Sequence, residues 1–148
     1  MATGLKTGTA WGRLVMCVLP LVGCGAEDIV DDIVTPQPVR TVIGTESFTN
    51  LASGHGVHGG LQIGLSGVLD VTAQWGSAAN DLDVYLTSTN CGSTADLVAG
   101  RCLVWASSRT RAKPERFTYE VMAGSYEVWV VNFGPGPETG MLEVGITR

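Results

Sequence analysis

Asn80-Asp81-Leu82-Asp83-Val84-Tyr85-Leu86 carries an apolar side chain at every second position, with Leu82, Val84 and Leu86 set between Asp81, Asp83 and Tyr85. Alternation of this kind belongs to an extended strand, where successive side chains point to opposite faces, and not to a helix. The same alternation runs through Leu69, Val71, Ala73 and Trp75; through Phe117, Tyr119 and Val121; through Tyr126, Val128 and Val130; and through Leu142, Val144 and Ile146. Within the fourth of these runs, Trp129 and Val131 make the second face apolar as well. Residues 101–107 read as a sixth strand, with Leu103, Val104 and Trp105 partly buried. Weaker strands are predicted at 41–43, 46–49 and 61–65. Turn residues separate the runs at Gly76-Ser77, Asn90-Cys91-Gly92, Gly100, Ala123-Gly124 and Gly134-Pro135-Gly136-Pro137. Short alternating strands with Gly/Pro turns predict an all-β fold over residues 41–148, an antiparallel sandwich or barrel. No segment predicts a helix of three turns.

The other end of the 148-residue chain reads differently. Lys6 and Arg13 give residues 1–23 a positive start with no acid before Glu27, and an apolar run from Leu14 to Val22 follows. That run falls short of the roughly 20 residues a membrane-spanning helix needs, and Pro20 interrupts it, so it reads as a signal peptide. It ends in Leu21-Val22-Gly23-Cys24, which resembles the lipobox of bacterial lipoproteins. The resemblance implies diacylglycerol on the Cys24 thiol, cleavage after Gly23 and acylation of the new amino group, since two or more acyl chains anchor stably where one does not. Gly25 in place of Asp resembles the pattern sent on to the outer membrane in bacteria with two membranes. Residues 24–40 read as a tether. Glu27, Asp28, Asp31 and Asp32 are interspersed with Ile29, Val30, Ile33 and Val34, and Thr35-Pro36-Gln37-Pro38 follows.

With Cys17 discarded and Cys24 lipidated, Cys91 and Cys102 remain as an even pair in a compartment where disulfides persist. No CxxC spacing and no nearby His favours a metal site, so a disulfide is expected, closing a short loop worth about 3 kcal/mol in the chain-entropy model. Of the nine Lys and Arg, Lys6 and Arg13 precede Cys24, leaving seven against 14 Asp and Glu. Such an acidic chain is not expected to bind nucleic acid or anionic lipid through its charge.

Three pieces of the strand pattern resemble the bacterial pre-peptidase C-terminal domain. They are Asn80 to Leu86; Phe117-Thr118-Tyr119 running to Ala123-Gly124-Ser125-Tyr126-Glu127-Val128-Trp129-Val130; and Gly140-Met141-Leu142-Glu143-Val144. The resemblance implies an antiparallel β-sandwich of jelly-roll type with about seven to nine strands. It also implies an accessory role in secretion, localisation or substrate binding. No peptidase precedes the domain, and the segment around Cys91 and Cys102 is not part of the family core.

Candidate sites are few. Asn80, Asp81 and Asp83 offer hard oxygens suited to calcium, with Asp96 and Glu138 as recruits, although calcium takes about six to eight ligands. Solvated acids on a strand edge are the alternative. His55 and His58 form a His-x-x-His pair within a glycine-rich stretch that reads as a mobile loop. Arg101, Arg109, Arg111, Lys113 and Arg116 concentrate positive charge, and Trp105 and Trp129 are candidates for a binding platform, unless one of them fills the core. No Gly-x-Ser-x-Gly, His-Glu-x-x-His or Walker loop is present. The sequence therefore predicts a membrane-anchored, non-enzymatic sandwich that binds an envelope or extracellular protein or polysaccharide and needs no cofactor. The alternatives are a secreted hydrolase or its accessory domain, and a purely structural envelope protein.

Overall fold

Alternating strands with one apolar face bury that face by pairing two sheets, and the computed structural model shows how. It describes residues 35–148; the Leu21–Cys24 motif and most of the tether lie outside the described residues. The strands are β1 (Arg40–Leu51), β2 (Gly56–Ile63), β3 (Gly67–Trp75), β4 (Leu82–Thr87), β5 (Val104–Ser108), β6 (Glu115–Val121), β7 (Gly124–Asn132) and β8 (Glu138–Thr147). One short helix, α1 (Thr94–Val98), lies between β4 and β5. Two antiparallel sheets form, ordered β1-β8-β3-β6 and β2-β7-β4-β5. Every connection except β4–β5 carries the chain from one sheet to the other. This is the eight-stranded jelly-roll sandwich that the resemblance implied.

The predicted apolar rows fill the space between the sheets. Leu69, Val71 and Ala73 of β3 pair with Ile146, Val144 and Leu142 of β8, and all six are buried. Leu82, Val84 and Leu86 of β4 and Val128 and Val130 of β7 meet them from the other sheet. Each fully buried aliphatic side chain of this kind contributes about 1.5–3 kcal/mol relative to exposure.

Three readings change. The stretches 41–43 and 46–49 are one strand, β1, whose register shifts between Val42 and Gly44 and again between Phe48 and Leu51, breaking the alternation. Residues 56–60, read as loop, are the first half of β2 and pair with β7 from Gly56↔Val131 to Gly60↔Glu127. Gly56 is needed there because a Cβ would lie 2.8 Å from Thr94 Oγ1 and 3.2 Å from the Val130 carbonyl oxygen. The predicted strand 101–107 starts only at Val104, because residues 101–103 belong to the β4–β5 connection.

That connection, residues 88–103, lies against the outer face of the second sheet. Ser93 caps α1, its Oγ accepting from the Asp96 N–H at 3.1 Å and donating to the Asp96 carboxylate at 2.7 Å. Arg101 donates to the same carboxylate at 2.7 Å. Cys91 and Cys102 are bonded as expected, S–S 2.05 Å. Cys91 and Leu97 then pack on Tyr85, Trp129 and Val131 in a second, smaller apolar cluster.

Candidate functional site

All six residues of β4 are buried, because the sandwich core covers one face and residues 88–103 cover much of the other. Asp83 is therefore not a solvated acid. It is 8% exposed and accepts a hydrogen bond of 2.8 Å from the Tyr85 hydroxyl. Burial pushes the Asp83 carboxyl above its usual range, against the Tyr85 hydrogen bond; Asp81 and Glu115 add to the rise and Arg109 opposes it. Burial, then the Asp83 hydrogen bond, also pushes the Tyr85 hydroxyl up.

This pair floors a cavity of about 360 Å³ beside α1. Arg109, just beyond β5, lines it with the one cationic group, and Val98, Val104 and Phe133 form an apolar rim, 55%, 37% and 43% exposed. A buried carboxyl held by a phenol, a guanidinium and an apolar collar suit the capture of a partner group. Leu97, Gly100 and Ser107 complete the lining. A wider trough of about 660 Å³ between β1 and β2 is lined by Glu46, Phe48, Asn50, His55 and His58. It is larger, but it lacks a buried ionisable pair on its floor, so the smaller cavity is the better candidate.

The other predicted residues are dispersed. Asn80 ties two loops together: its Nδ2 donates to the Pro137 carbonyl at 3.3 Å and to Glu138 at 2.9 Å, and its Oδ1 accepts from the Gly136 N–H at 3.1 Å. Glu138 also accepts from the N–H groups of Gly76, Ser77 and Thr139 at 2.9–3.2 Å. Burial pushes the Glu138 carboxyl up, but the hydrogen bonds from Asn80, Thr139, Ser77 and Gly76 outweigh it and hold the group below its usual range. Asp81 Oδ2 lies 3.9 Å from Arg111, and its buried Oδ1 has no partner. Asn80, Asp81 and Asp83 thus face three different environments. Among the described residues no group of three or more His, Cys, Asp or Glu side chains is placed to hold a metal ion.

His58 is stacked on Trp129, ring centroids 4.1 Å apart and 13° from parallel, while the His55 ring bonds to the Ser53 carbonyl. Trp129 is 2% exposed and belongs to the small cluster, so it is not half of a surface platform; Trp105 is 43% exposed on β5. The five cations do not form one patch. Arg101 pairs with Asp96, Lys113 donates to the Gly76 carbonyl over the Trp75 ring, and Arg116 lies beside Asp70 and Thr118 on the first sheet. Arg111 is 93% exposed, leaving Arg109 alone at the cavity. Sequence reasoning missed Tyr85, Val98 and Phe133. The apolar second face at Trp129 and Val131 was the available sign that something covers this sheet.

No family model matches the chain, and no curated protein matches it in sequence. Among solved structures it is similar to the pre-peptidase C-terminal domain of a collagenase from Bacillus anthracis, with 12% identity over 68% of this chain and 87% of that one and a TM-score of 0.52. It is also similar to PliG, a periplasmic inhibitor of g-type lysozyme from Aeromonas hydrophila, with 11% identity over 75% and 86% and a TM-score of 0.43. The first likeness agrees with the resemblance seen in the strand motifs and speaks to fold alone.

Proposed function

We propose that this chain is a lipid-anchored protein of the cell envelope, on the outer membrane where the source has two. Its sandwich is a non-catalytic binding module, and it takes a protein partner in the cavity beside α1. The observation that carries this reading is the placement of Arg109 and an exposed apolar rim around the buried Tyr85–Asp83 pair. Tyr, Arg and aromatic groups at a partly desolvated pocket are the composition of protein-binding hot spots. Val98, Val104 and Phe133 give the rim the apolar surface that a protein side chain packs on.

A pull-down from membranes with the full lipidated chain tests this. Wild type should retain a specific protein, and Val98→Asp or Arg109→Glu should reduce its recovery at least about tenfold, the effect of losing a hot spot worth roughly 1.4 kcal/mol or more. Equal recovery by all three would sink the proposal. Glycan binding abolished by Trp105→Ala would instead favour a polysaccharide partner.

A further inference from the structure

The three most exposed large hydrophobic side chains among the described residues are Met122, Leu65 and Val39, at 74%, 68% and 65%. Hydrogen bonds gather them at one end of the sandwich. Val39 and Arg148 exchange backbone bonds of 2.8 and 3.2 Å, and the Arg148 guanidinium donates to the Leu65 carbonyl at 3.1 and 3.3 Å. Gly67, two residues beyond Leu65, pairs with Val121, which precedes Met122. Val68, 40% exposed, pairs with Thr147 beside them. Phe133 of the cavity rim follows the far end of β7, which spans roughly 30 Å.

Single exposed apolar residues are ordinary on a protein surface; a cluster at loop tips is not. Leu65 lies in the turn 64–66 and Met122 in the turn 122–123, and neither turn holds a charged residue. Val39 is also where the chain leads back towards Cys24. Only residues 25–38 lie between the two, so a lipid on Cys24 would be attached to the sandwich through this end. Three side chains cannot supply the roughly 1,200 Å² that a stable pair of copies buries, which argues against self-association.

We infer that this end of the sandwich seats on the lipid surface, with Leu65, Met122 and Val39 entering the headgroup region and Arg148 among the phosphates. The inference rests on the lipid anchor at Cys24. Anchoring makes insertion effectively intramolecular, so a weak apolar contact suffices. The cavity beside α1 is then held away from the membrane.

The test uses the full lipidated chain in zwitterionic phosphatidylcholine vesicles containing brominated lipid. Leu65→Trp and Met122→Trp should each be quenched roughly twofold more than a Val98→Trp control, as expected for a ring about 5–10 Å into the headgroup and acyl boundary. Unchanged melting temperatures would show that the variants fold. Chains that float with the vesicles but show equal quenching at all three sites would overturn the seating and leave the anchor standing. Chains that fail to float would overturn the anchor and the seating with it. A blue shift of Leu65→Trp that grows with protein concentration in detergent, without vesicles, would assign this end to a second copy instead.

Discussion

Asp83 and Glu138 are both buried carboxyls, yet their surroundings shift them in opposite directions. Burial dominates at Asp83 and raises its pKa above the unfolded value. The folded state then holds the proton more tightly, so the stability it contributes is complete below the unfolded pKa and is lost as pH rises through the folded one. Asp83→Asn keeps an acceptor for the Tyr85 hydroxyl and removes the charge. It should raise the melting temperature near neutral pH, with the gain vanishing in acid. At Glu138 four hydrogen bonds win over burial, so its contribution is present above the unfolded pKa and is lost as pH falls through the folded one. Glu138→Gln should therefore cost on the order of 3 kcal/mol near neutral pH, the worth of a charged hydrogen bond replaced by a mismatched amide, with the penalty shrinking in acid. Denaturant melts over a pH series would read both slopes. If the two variants shift stability in the same direction with pH, the assigned environments are wrong.

The β4–β5 connection is the element that walls the cavity above Asp83 and Tyr85, through Leu97, Val98 and Gly100. Of its apolar residues, Cys91, Leu97 and Cys102 pack on the sheet, while Val98 and Leu103 stay exposed. Replacing both cysteines by Ser should lose about 3 kcal/mol of loop-closure stabilisation. The main core, which contains neither cysteine, should stay folded. Amide exchange should rise across 94–100 and remain unchanged in β3 and β8; a uniform rise would mean that the connection is integral to the core. The same contrast explains what could be read in advance. Strands β3, β4, β6, β7 and β8 were legible because their side chains alternate in water affinity, which is what burial acts on. The second half of β2 was read within 61–65, but its first half was not, because Gly56, Gly59 and Gly60 carry no side-chain signal, and the reason for Gly56 is a Thr94 hydroxyl distant in sequence. Strand β1 was split because its register shifts interrupt the period. At the cavity, Asp83 looked solvated because a strand's outer face is polar by default, and only the apolar Trp129 and Val131 hinted at a cover.

The sandwich has two ends along β7, with Met122 before its first residue and Phe133 after its last. The apolar tips and the lead towards Cys24 lie at the first end, and part of the cavity rim lies at the second. Pro36–Arg148 form one compact unit with its core between the two sheets. Cys24→Ser lies outside this unit's sequence and should leave its stability within about 0.5 kcal/mol of wild type. Its effect should be on location. A single myristoyl chain binds membranes only marginally, with an association constant of about 10⁴ M⁻¹, and three partly inserted side chains bury less than that chain does. The tips alone thus cannot retain the protein, and the variant should move from the membrane fraction to the soluble one, with a stalled precursor told apart by its mass. The soluble variant should still capture the partner of the wild-type chain, because the cavity stands apart from the end that carries Val39, Leu65 and Met122. A processed Cys24→Ser chain that stays on membranes would place the anchor elsewhere, and one that is released but no longer binds would mean that the partner is recognised only at the lipid surface.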